Sequence, residues 1–180
     1  MAKRKANKGS EGRDAAVRGA NLLIAPAVLE RYSNPPADNP TWKGLGAADK
    51  IALPDGGTIG LGAAMRELGA VSLGEEVPAM PAEVAKNPPK PAEDASAAEQ
   101  ARYKALREAQ MAVKRDWRAA NWRRFETEAQ NVLAEVGIAV CWRGKRVYLY
   151  PADSPEARDT GSSGQTSATA KASFRAAFGA

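Results

Sequence analysis

The chain has 180 residues, a formal charge of +5, an isoelectric point near 9.4 and a mean hydropathy of −0.44. It has no histidine and a single cysteine, Cys141. Imidazole acid–base or zinc chemistry, Cys-rich metal sites and intrachain disulfides are therefore excluded, and no apolar run reaches the ~20 residues of a membrane span.

The mild basic surplus suits a nucleic acid or an acidic protein surface and requires neither. Cysteine usage of this kind fits the cytoplasm, or a virion assembled in the cytoplasm. The charged N-terminus lacks the apolar stretch of a secretion signal.

Residues 1–14 read as a basic N-terminal arm carrying Lys3, Arg4, Lys5, Lys8 and Arg13. The arm is too polar to fold alone; it is either a solvated tail or a contact for phosphate or an acidic partner. Residues 15–75 read as a small Gly-rich α/β segment. Val17, Leu22, Leu23, Val28 and Leu29 predict a helix over 15–32, kinked or restarted at Pro26. Pro35, Pro36 and Pro40 then enforce an irregular connector. Two short strands, 50–53 and 58–61, flank the turn Pro54-Asp55-Gly56-Gly57, and a short helix over 63–68 closes at Gly69. The cluster around Gly56, Gly57, Gly60 and Gly62 lacks the Gly-Lys-Ser/Thr ending of a phosphate loop and reads as hairpin glycine.

Residues 76–93 read as a Pro-rich linker in semi-rigid polyproline II form. Residues 94–151 read as a long helix plus a β-hairpin. From Glu99 to Val136 there is neither Pro nor Gly, Asp94 or Ser96 offers a cap, and Ser96 with Glu99 has capping-box spacing. Gly137 is the expected stop. One unbroken helix of this extent is about 57 Å long, more than the rest of the chain can shelter. Its apolar positions form two stripes, one through Leu106, Val113 and Trp117 and one through Trp122, Phe125 and Val132. The five-residue step from Trp117 to Trp122 rotates the stripe, so the alternative to an unbroken rod is a break near 119–121.

Lys114, Arg115, Arg118, Arg123 and Arg124 interleave with Trp117 and Trp122. Such a pattern serves either phosphate contact with stacking or Arg stems covering buried Trp. The strands Ile138–Trp142 and Arg146–Tyr150 flank a basic tip, Arg143-Gly144-Lys145. A lone hairpin is marginal, and the hairpin at 50–61 is the expected sheet partner. Residues 152–180 read as a flexible C-terminal tail whose end carries Phe174 and Phe178, four apart, as a docking element.

A helix ending near Val136, followed by a strand, a basic tip at Arg143, Lys145 and Arg146 and a returning strand, resembles the recognition helix and wing of a winged-helix nucleic-acid reader. The difficulty lies upstream, because 99–136 offers no Gly or Pro to make a turn between two helices, and Asn121 is the only candidate for one. The carboxylates Asp49, Asp55, Glu67, Glu75, Glu76, Glu126 and Glu128 fall into no hydrolase or nuclease spacing, so no enzyme, cofactor or metal is expected.

The expected fold is mainly α with small β-hairpins (α+β): a long central helix, a C-terminal hairpin, extended Pro/Gly-rich segments and tails. The expected role is that of a structural, interaction protein of a large assembly, a homo-oligomer or part of a larger complex with other subunits. Chains of this build are similar in style to accessory proteins of bacteriophage particles, such as connector, tail or capsid-stabilising components. Leu106, Val113, Trp117, Trp122, Phe125, Val132, Phe174 and Phe178 are then the partner contacts. The alternative is nucleic-acid binding through the Arg/Trp helix, the arm and the hairpin tip.

Overall fold

The computed structural model describes residues 8–40, 43–143 and 146–158. Lys3, Arg4 and Lys5 of the arm, Lys145 of the tip, and Phe174 and Phe178 of the tail lie outside the described residues. The chain is mainly helical with small antiparallel sheets. It divides into two compact units, one of residues 1–76 with 125–180 and one of residues 77–124. In sequence, the second unit is an insertion in the first.

The first unit begins with α1 (Lys8–Gly19), a π-helical turn (Ala20–Ile24) and α2 (Ala25–Ser33). A helix thus starts inside the stretch expected to be an unfolded arm. Pro26 occupies the first turn of α2, where its missing N–H costs least, and the backbone widens into π geometry just before it. Ala16, Ala20, Ile24 and Val28, spaced four apart, are all buried. This is one face of a helical stretch turned to the core.

After the connector come β1 (Leu45–Gly46), β2 (Lys50–Ala52), β3 (Thr58–Gly60) and α3 (Leu61–Leu73). The Pro54–Gly57 turn joins β2 to β3 as expected, with Gly56 at φ 84°. Following the inserted unit, α6 (Arg123–Glu135) leads through Gly137, at φ 75°, into β4 (Ile138–Arg143) and β5 (Arg146–Pro151). The positive φ explains the glycine at the helix stop.

The sheet partner of this hairpin is not 50–61, as expected, but β1. The order is β1-β5-β4, with Leu45 opposite Leu149 and Val140 opposite Leu149 on its other side. The β2–β3 pair forms its own small sheet. One core joins the elements: Leu45, Ile51, Leu61, Met65, Leu68, Val132, Leu133, Ile138, Val147 and Leu149 are buried together. The opposite face of the sheet carries Cys141 and Tyr150, covered by Ala157 of α7 (Pro155–Arg158) and flanked by Tyr32. The Tyr32 hydroxyl donates to Glu156 at 2.9 Å. Residues 155–158, at the start of the expected tail, form a docked turn of helix with Ala157 and Ser154 buried.

The second unit is built on α5 (Ala97–Asn121), with a complete capping box: the Ser96 side chain accepts from the Glu99 N–H and Glu99 accepts from the Ser96 N–H. The Pro-rich segment, including α4 (Ala82–Ala85), is a strap laid along α5 rather than a free spacer. Gln110 Nε2 donates to the Val84 carbonyl at 2.8 Å, Lys114 Nζ to Asn87 Oδ1 at 2.6 Å and Trp122 Nε1 to the Pro78 carbonyl at 2.9 Å. The rod is not continuous: α5 stops at Asn121, Trp122 caps it at φ −107°, and α6 begins at Arg123. Among the described residues no helix is long and apolar enough to cross a membrane.

Candidate nucleic-acid interface

The helix α6 is two-faced. Phe125, Ala129, Val132 and Leu133 are fully buried, at positions that recur every three or four residues. At about 100° per residue, the direction opposite that stripe carries Arg123, Thr127, Gln130, Asn131 and Ala134. All of these are exposed apart from Gln130, which is half-buried. Phe125 and Val132 were expected to meet a partner, but they lie inside the chain's own core, and no surface remains on them to offer.

α6 sits where it does because α3 admits it closely. A Cβ on Gly69 would lie 2.0 Å from the Phe125 carbonyl oxygen, so only glycine lets the two backbones meet there. The contact is reinforced by an ion pair between Arg66 and Glu126 at 3.6 Å and by Ser72 Oγ donating to Glu128 at 2.6 Å. Two helices thus pack directly against each other although the inserted unit separates them in sequence.

The acidic residues of α6 are all engaged within the chain. Arg13 of α1 is paired with both Glu128 and Glu135, its Nη2 donating to Glu135 at 2.6 Å. Burial alone would push the Glu128 carboxyl up. Hydrogen bonds from Ser72 and Asn131 and the charge of Arg13 outweigh burial and hold it below the ordinary glutamate value. With Glu126 held by Arg66, no unpaired carboxylate is left on the helix to repel a polyanion. What remains outward is cationic in the first turn, at Arg123 and Arg124, and polar beyond it, at Thr127, Gln130 and Asn131. The first turn also carries the positive end of the helix dipole.

The other sequence-derived candidates are placed less favourably for a ligand. Lys114 is 7% exposed and its ammonium is spent on Asn87. Arg115 pairs with its neighbour Asp116 at 3.1 Å. Arg118 lies 5.7 Å over the Trp122 ring, and Trp117 meets Trp122 edge-to-face at 5.2 Å. This is the packing arrangement of Arg and Trp rather than an open stacking platform. Leu106 and Val113 are about half exposed, at 52% and 49%. The backbones of Arg143 and Arg146 face each other at the end of the hairpin. The residues that sequence reasoning missed are Thr127, Gln130 and Asn131. Their signal was the stretch 123–134, whose outward positions become apparent only once the helix is known to restart at Arg123.

Among the described residues no group of three or more His, Cys, Asp or Glu could hold a metal ion. No protein-family description, curated protein or solved structure matches this chain.

Proposed function

We propose that this protein is a non-enzymatic duplex-DNA-binding protein that reads the major groove with α6 and touches the flanking backbone with the β4–β5 turn. The order of its first unit supports the reading. A helix, a strand, a helix, a second helix and two strands follow one another, and the sheet order is first, third, second. This is the winged-helix order, with β2–β3 and the unit of residues 77–124 as additions. The sequence-level objection was the missing turn inside 99–136. What supports the reading against that objection is the close approach of α6 to α3 at Gly69.

Topology alone does not make a function. The observation that carries the reading is the outward face of α6, where every carboxylate is paired internally while Arg123, Thr127 and Asn131 are exposed and Gln130 is half-buried, with Asn131 Nδ2 donating to Glu128 at 3.2 Å. A 13-residue helix is about 20 Å long and fits a groove about 12 Å wide. Asn and Gln suit adenine, Arg suits guanine, and Ala134 and the Thr127 methyl suit the thymine methyl. Arg143, Lys145 and Arg146 then serve phosphate contact at the wing.

The test is duplex binding at graded salt. Binding should weaken linearly in log–log form, with Lys145→Ala reducing the slope by about one. Asn131→Ala should instead reduce discrimination between sequences, by roughly 1–3 kcal/mol at one position. Absence of duplex binding at about 50 mM salt would reject the reading.

The role as a component of a large assembly, a bacteriophage virion among them, is the second reading. It is supported by the half-exposed Leu106 and Val113 on α5. Either role belongs to the cytoplasm or to a particle assembled there, as the lone buried Cys141 suggests.

A further inference from the structure

The outward side of α5 is self-complementary under one specific operation. Ala98, Ala105, Ala112 and Ala119 repeat every seven residues, and Arg102, Ala109 and Asp116 repeat at the same interval between them. Leu106, Val113 and Ala120 run alongside. Apart from the half-buried Ala112, these residues are exposed, and the Pro-rich strap lies on another side of the helix, at Gln110 and Lys114. A seam with seven-residue periodicity is the pattern by which two helices stay in register.

We infer that α5 pairs with α5 of a second copy of this chain, antiparallel, about a twofold axis at Ala109. Arg102 and Asp116 each lie seven residues from Ala109, so the axis sets Arg102 of one copy against Asp116 of the other, twice. The same axis brings Leu106 of one copy alongside Val113 of the other on one flank, Ala105 alongside Ala112 on the other flank, and Ala98 against Ala120 between them. The large apolar side chains meet each other on one flank, alanines meet alanines on the other, and Arg102 meets Asp116. Self-complementarity of this kind is what a twofold interface requires. A parallel pair would set Arg102 on Arg102 and Asp116 on Asp116, which selects against it. Asp116 is 72% exposed and, among the described residues, pairs with its sequence neighbour Arg115, so its exchange onto a second copy costs little.

The inference does not rest on nucleic-acid binding and is tested without DNA. Sedimentation of the full chain over a concentration series should show a monomer–dimer equilibrium. Arg102→Asp alone and Asp116→Arg alone should each weaken it about tenfold, because two ion pairs become two like-charge contacts. The combined Arg102→Asp, Asp116→Arg chain should regain the wild-type dimer, which a misfolded chain cannot do. Leu106→Glu should give monomer with unchanged helix content by circular dichroism. A wild-type monomer up to about 100 μM, far above the micromolar range of modest interfaces, would overturn the inference. So would single charge reversals that leave the dimer unaltered.

Discussion

Gly69→Ala isolates the contact on which the two-helix arrangement depends. In an exposed helix interior this change stabilises by about 1 kcal/mol, because alanine is the better helix former. Here the new methyl carbon would stand 2.0 Å from the Phe125 carbonyl oxygen and 2.7 Å from its carbon, both backbone atoms that cannot rotate away. Relief to an ordinary 3.4 Å contact requires α3 and α6 to part by more than an ångström. Overpacking of this kind costs about 1–3 kcal/mol or more, and parting also loosens Phe125, which is fully buried. The expected net loss is about 2 kcal/mol, which lowers the melting temperature of a domain near 100 residues by roughly 8–16 °C. Gly62→Ala is the control. It lies on the same helix, and its nearest neighbour is the mobile end of Arg66 at 3.6 Å, so it should be neutral or slightly stabilising. Thermal unfolding followed by circular dichroism reads both. A Gly69→Ala chain as stable as the Gly62→Ala chain would show that α3 and α6 do not meet at this point, and the paired-helix account would fail with it.

Other substitutions report on separate parts of the structure. Glu128 is held below its ordinary value in the folded chain, so the stability it contributes is complete above a pH of about 4.5 and is lost as pH falls through the folded value. Glu128→Gln should therefore be less stable than wild type at neutral pH and approach it in acid, as read by urea midpoints across pH. Trp122→Phe removes the indole donor to the Pro78 carbonyl and should cost about 0.5–1.5 kcal/mol, measured as faster amide exchange over 97–121. Ser96→Ala removes the capping hydroxyl and should cost about 1 kcal/mol, felt as fraying of the first turn of α5.

Much of the secondary structure is legible in the residues themselves. Ser96 and Glu99 announce the start of α5, and Gly137 announces the end of α6, because both act through local backbone geometry. The Pro54–Gly57 turn and the 138–151 hairpin are legible for the same reason. The break at Trp122 is not, since no Gly or Pro marks it. It arises where Trp122 bonds to the Pro78 carbonyl and Phe125 is drawn into another core. The two-residue strand β1 carries too little pattern to be seen, and its pairing with β5 is a long-range choice. The site was half visible: Arg123 and Arg124 stood out by charge. The pairing of Glu126, Glu128 and Glu135 with Arg66 and Arg13, which determines the sign of the surface, depends on helices distant in sequence.

The most direct test of the account is backbone amide exchange of the full chain with and without a duplex DNA pool at low salt. The account predicts slowed exchange in the outward positions of α6, residues 123–134, and at the β4–β5 turn, with α5 unchanged. Slowing confined to α5, or none anywhere, would contradict it.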